Sequence, residues 1–139
     1  LGIILNKNDL SINEIFDKQK FTYHCCLFSI DHENKLIREF QNRIEEDILN
    51  RNKNFCFTKN YEEIFSWLIV KKIKHLILPY ETVGNEILNN HQFKNKLKEL
   101  GINYIFYLRD WDRNAFPHAT KGFFKFKKNI PDLMNLAKI

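Results

Sequence analysis

The sequence predicts an α/β fold: a doubly wound, Rossmann-like parallel sheet of about five strands with helices on both faces. Three observations point there. Five short apolar runs (Leu1–Leu5, Phe21–Phe28, Phe55–Phe57, His75–Leu78, Ile102–Leu108) alternate with stretches of helical periodicity. Such alternation calls for parallel pairing through right-handed crossovers. The middle runs are continuously apolar, which suits strands covered on both faces. At 139 residues, 44% hydrophobic and 28% charged, the chain is long enough for one real core and too weakly charged for disorder.

Each element has its own signal. Leu1–Leu5 lacks a basic flank and a small-residue cleavage site, so it reads as a strand and not a signal peptide. Ser11-Ile-Asn-Glu14 offers a capping box for a short helix through Phe16. After the Phe21–Phe28 run, the polar Ser29 and Asp31 lead into a long helix, roughly His32 to Arg51. Its residues Leu36, Ile37, Phe40, Ile44 and Ile48 form one stripe expected to be buried. Asn60 is placed to cap the next helix, with Ile64, Phe65, Leu68 and Ile69 facing inward. Pro79 stops the fourth run. A helix carrying Phe93, Leu97 and Leu100 ends at Gly101. Arg109–Gly122 reads as a long irregular stretch before a closing helix. In that helix Phe123, Phe126, Ile130 and Leu133 share one face and Lys121, Lys125 and Lys128 another. Residues 1–110 are thus the α/β body, and 111–139 a basic aromatic loop and closing helix of the same domain.

Charge is distributed unevenly. Residues 1–112 hold 16 basic and 16 acidic side chains, whereas 113–139 hold six against one, so the tail carries the whole net charge of +5. Trp111, Phe116, His118, Phe123, Phe124 and Phe126 are interleaved with those cations. A neutral body with a basic aromatic tail suggests a docking element, for another domain or a nucleic acid. No stretch approaches the roughly 18 apolar residues of a membrane span, so no membrane partner is expected. Cys25, Cys26 and Cys56 lie in apolar runs without CxxC spacing. That points to small buried hydrophobes and a reduced, cytoplasmic setting. The chain has no initiator Met, which suggests it was cut from something longer.

Ligands of such sheets collect beyond the strands' C-terminal ends. Those ends offer Asn6, Asn8, Ser29, Asp31, His32, Thr58, Tyr80, Glu81, Arg109 and Asp110. Asp31, Tyr80, Glu81 and Arg109 make the candidate pocket, with ordinary strand-end polarity as the blander reading. Glu81 could accept hydrogen bonds from a ribose or a pterin-like ring, or tie to Arg109 across neighbouring strand ends. No GxGxxG or GxxxxGK[ST] glycine loop is present, which disfavours a dinucleotide in the usual pose. Asp31-His32-Glu33 more simply favours a helix dipole than forms an acid–base or metal cluster. The five histidines show no HxH, HxxxH or HExxH pairing and no GxSxG elbow occurs, so neither a metal site nor a nucleophile is nominated and no catalytic residue is assigned.

The tail also carries a family resemblance. Arg109-Asp-Trp-Asp112, Phe116-Pro-His-Ala-Thr-Lys-Gly-Phe-Phe124 and Phe126-Lys-Lys-Asn-Ile-Pro131 resemble the C-terminal end of a bacterial DNA photolyase/cryptochrome-related group. Leu78-Pro-Tyr-Glu-Thr-Val-Gly84 is similar to that group's "TPYxPVG" after a buried strand. The likeness is sharp between about Leu78 and Pro131. It departs at Phe116, where the group usually has Trp, and at Glu81, where it has a small residue.

The resemblance implies the C-terminal α/β domain of a flavoprotein that uses light to repair pyrimidine dimers or to sense blue light. Such a domain is a scaffold, in some members with an antenna chromophore. Its partner is a helical FAD-binding domain absent from this chain, with DNA as a further partner. Any lyase chemistry then lies outside the chain, and no cofactor is expected within it. Trp111, Phe116, His118, Lys121, Lys125 and Lys128 are the candidate contacts to that domain or to nucleic acid. Two alternatives stay open: a stand-alone nucleotide or small-molecule binding module, and a nucleic-acid-binding accessory domain.

Overall fold

The structure is a computed structural model that describes residues 1–6, 9–10, 22–30, 33–51, 55–81 and 88–137. The short helix expected from Ser11, the residues Asn8, Asp31 and His32, and the Thr82–Gly84 part of the rim lie outside them, as does the side chain of Lys121. By contact density the chain forms two compact units, Leu1–Phe106 and Tyr107–Ile139.

The first unit holds the five-stranded parallel sheet, in the order β3-β2-β1-β4-β5. The strands are β1 (Gly2–Leu5), β2 (His24–Phe28), β3 (Phe55–Thr58), β4 (His75–Pro79) and β5 (Asn103–Tyr107). The β1 strand lies at the centre, with Ile4 opposite Cys26 on one side and Gly2 opposite Leu76 on the other. The strands β1, β2 and β3 step outward in one direction. The chain then crosses back to lay β4 on the other edge of β1, so the order reverses between β1 and β4. That reversal is what makes the fold doubly wound.

Side chains alternate across the sheet. Ile4, Cys26, Phe28, Leu76 and Leu78 face α2 (Tyr61–Val70) and α3 (His91–Glu99), where Ile64, Trp67, Leu68, Phe93 and Leu97 complete the main core. Ile3, Leu5, Cys25, Leu27 and Ile77 face the other way and are also buried, as expected for strands covered on both faces. On that second face α1 (Lys35–Arg51) lies beside β2, with Ile44 and Gln41 lining a small crevice together with Leu27 and Ser29.

Both core helices start on asparagine caps. Asn60 accepts from the Glu63 amide at 2.9 Å, while the Glu63 carboxylate accepts from the Lys59 amide and the Asn60 side chain, a reciprocal box that satisfies otherwise orphaned groups. Asn90 accepts from the Phe93 amide at 2.8 Å.

They also end alike, in paired Schellman turns. Lys72 N–H donates to the Ile69 carbonyl and Ile73 N–H to the Leu68 carbonyl; Gly101 N–H donates to Lys98 and Ile102 N–H to Leu97. The left-handed residue of the second turn is the expected glycine, Gly101, at φ 66°. In the first it is Lys72, at φ 52°, the only non-glycine with positive φ among the described residues.

Two expectations about helix faces need correction. The stripe on α1 is buried only at its C-terminal end: Ile48 is 7% exposed, while Leu36 is 75% and Phe40 64% exposed, with Ile37 also open. Length explains this. A 17-residue helix spans about 25 Å, whereas strands of four or five residues span only about 13–17 Å, so the helix overhangs the sheet. Ile69 of α2 is likewise exposed, and Trp67 takes the inward place.

The second unit is more ordered than the sequence suggested. In place of an irregular stretch it has α4 (Asp110–Ala115) running into a 3-10 helix (Phe116–Lys121). The closing helix is two helices, α5 (Phe123–Lys127) and α6 (Ile130–Leu136). Pro131 explains the break, because it has no N–H for the Lys127 carbonyl and disfavours helical backbone at the residue before it. Asn129 closes the first piece, its amide donating to Phe126 and its side chain to the Lys125 carbonyl. Gly122, at φ 81°, supplies the backbone bend between the 3-10 helix and α5. Ala115 and Leu133 are buried, and α4 contacts α6.

Candidate functional site at the strand ends and on the basic tail

The reversal of strand order between β1 and β4 is where this fold class opens its ligand crevice. Asn6 follows β1 and Glu81 follows β4, so the topology puts both at that point. Both are buried, at 6% and 4% exposure. Glu81 Oε2 accepts from the Leu88 and Asn89 amides at 2.8 and 3.0 Å, and Oε1 lies 3.5 Å from Asn6 Nδ2. The Asn6 side-chain oxygen accepts in turn from the Asp9 amide at 3.1 Å. A buried carboxylate is tolerable only when hydrogen-bonded, and here the chain itself supplies those donors. Glu81 thus links the approach to α3 with the end of β1, at the point where the strand order reverses.

The neighbouring polar groups are similarly engaged. Thr58 is 2% exposed, with its hydroxyl 3.2 Å from the Cys26 sulfur and its carbonyl accepting from the Ser29 amide. Burial pushes the Cys26 thiol from 9.0 up to about 12, outweighing the Thr58 hydrogen bond that pulls it down. Cys26 is therefore a core hydrophobe and a poor nucleophile. Tyr61 is held between Phe28 (5.7 Å, stacked) and Phe93 (5.5 Å), its hydroxyl accepting from Asn90 at 2.8 Å. Burial raises its phenol pKa; the Asn90 bond works against that, and the Glu81 charge adds to it. The crevice beside Ser29, between α1 and the sheet, has about 20 Å³ of free volume, room for one water at most.

Of the four pocket candidates, Tyr80 is exposed and Glu81 buried. Asp31 lies outside the described residues, and Arg109 belongs to the second unit, where it precedes α4 and accepts from the Arg113 amide. The role of Asn6 as Glu81's partner was not read from the sequence. Its signal was available: a lone asparagine directly ending an apolar strand, with an acid ending the strand beside it.

On the tail, Trp111 and Phe116 are each 39% exposed, and His118, Lys125, Lys127 and Lys128 are exposed. Phe123 and Phe124 stand further out, at 65% and 83%, edge to face with each other at 5.8 Å. The sequence placed Phe123 on one helix face with Leu133; Leu133 is buried, whereas Phe123 in the shorter α5 is open to solvent.

Among the described residues no group of three His, Cys, Asp or Glu could hold a metal ion, and no helix is long and apolar enough to cross a membrane. Comparison with protein-family models, with curated proteins and with solved structures finds no match to this chain.

Proposed function

We propose that this chain is the α/β domain of a photolyase/cryptochrome-related flavoprotein, acting as a scaffold that docks on a helical FAD-binding domain through its basic aromatic unit. The observation that carries the docking reading is the exposure of Phe123 and Phe124 beside Lys125, Lys127 and Lys128. Aromatic side chains so open to water are a standing cost that a partner surface removes. The family part of the reading rests on the sequence likeness between Leu78 and Pro131.

The buried Asn6–Glu81 pair favours a scaffold over a free-standing binding module, because the chain's own amides already engage the Glu81 carboxylate. Any light-driven electron transfer to a pyrimidine dimer, or blue-light signalling, belongs on this reading to the flavin domain, and this chain contributes no catalytic residue.

The coding sequence immediately upstream of Leu1 is the first test. An in-frame helical, flavin-binding segment is expected there, and a start codon beside Leu1 would remove the reading. The purified 139-residue chain should also be colourless, and a stoichiometric, tightly held FAD on it would count equally against the assignment.

A further inference from the structure

A second candidate site lies at the opposite end of the sheet from the usual ligand crevice. Where α2 and α3 end and β4 and β5 begin, the two Schellman turns run side by side and leave an open groove of about 320 Å³. Leu68, Ile73, Leu100 and Ile102 form its floor, and Lys72 and Lys74 line its rim. Leu68, Ile73 and Ile102 are buried, and both lysines are exposed. An apolar concavity of this size with two lysines among its lining residues has the form of a small-molecule site.

Lys72 sets this groove apart from an ordinary gap between helices. Its left-handed conformation disfavours any residue with a Cβ, and the twin turn beside it uses Gly101 for the same geometry. The Lys72 side chain is not needed as a cap either, since the Lys71, Lys72 and Ile73 amides already donate to the Trp67, Ile69 and Leu68 carbonyls. A strained residue kept where glycine would fit directs attention to its side chain, and that side chain lines the groove. We infer that the groove binds an amphiphilic anion, an apolar body bearing one carboxylate or sulfonate, with its chain on the Leu68–Ile102 floor and its charge between Lys72 and Lys74. This inference is independent of the docking reading above, because every residue it uses lies in the sheet unit.

Decanoate is a suitable probe, followed by chemical-shift changes in the isotopically labelled chain. Saturable binding that perturbs Leu68, Ile73, Leu100 and Ile102 is expected, weakening as salt is raised. Decyltrimethylammonium, with the same tail and the opposite charge, should bind less well. Lys72→Gly should raise the midpoint of urea unfolding by relieving the left-handed strain, and it should weaken decanoate binding about two- to fivefold, with a similar loss for Lys74→Gln. The stability gain shows that Lys72→Gly remains folded, so a loss of binding reports on the charge. Absence of saturable decanoate binding, equal affinity for the two surfactants, or unchanged affinity when Lys72→Gly and Lys74→Gln are combined would each overturn the inference.

Discussion

At the scale of single residues, the chain uses chemically versatile side chains for structure. Glu81 is the clearest case, because its carboxylate takes two amides and faces Asn6. Glu81→Ala should leave two donors without their acceptor and lower unfolding stability in urea by roughly 2–5 kcal/mol. Glu81→Gln keeps an acceptor oxygen and should cost about 1–2 kcal/mol. Groups held for function often destabilise the fold, so a Gln variant more stable than wild type would return Glu81 to the ligand-binding reading. Cys26 yields a pH prediction. Its folded pKa lies above the ordinary value, so between about pH 9 and 12 the unfolded chain has lost a proton that the folded chain keeps. Stability is therefore full below pH 9 and falls as pH rises through that window. Tyr61 shifts in the same direction and adds to the alkaline loss. Cys26→Ala should flatten the profile, and an unchanged slope would mean that Cys26 is not the group responsible.

At the scale of elements, periodicity found the strands and helices but could not say how far each helix is covered. The stripe on α1 from Leu36 to Ile48 is a sound amphipathic pattern, yet pattern carries no information on how long the neighbouring strands are. The overhang follows from that difference in length. Ile48→Ala should thus cost about 2–4 kcal/mol, whereas Leu36→Lys should stay within about 0.5 kcal/mol of wild type, both by chemical denaturation. Equal costs would mean that the N-terminal half of α1 is covered after all. The break at Pro131 was legible in principle, since proline excludes a continuous helix, but the shared face of Phe123, Phe126, Ile130 and Leu133 outweighed it. The site was less legible than the fold. Glu81 stood out at a strand end, but its partners Leu88 and Asn89 are backbone amides that no side-chain pattern reveals. The groove was invisible for a similar reason: the sequence marks Gly101 as a helix end, whereas nothing in Lys71-Lys72 announces a left-handed residue.

At the scale of the whole molecule, the question is what the basic unit meets. A neutral first 112 residues and a tail with six cations against one acid would serve an acidic protein surface or a phosphate backbone, and the two partners respond differently to salt. Nucleic acid releases condensed counterions, so engagement of Lys125, Lys127 and Lys128 by duplex DNA should give a log–log salt slope of about −3, reduced by about one for each Lys→Gln change. A docked helical domain buries apolar area in addition to charge. Phe124→Ala, which removes the most exposed aromatic ring of the unit, should weaken docking about tenfold or more if that ring becomes a buried anchor, with little dependence on salt. Comparing the two responses in the chain joined to the flavin-binding domain that the proposed function calls for separates the readings. Strong Phe124 dependence with a shallow slope supports the docking role. A steep slope with an indifferent Phe124 would overturn it and make the unit a nucleic-acid contact.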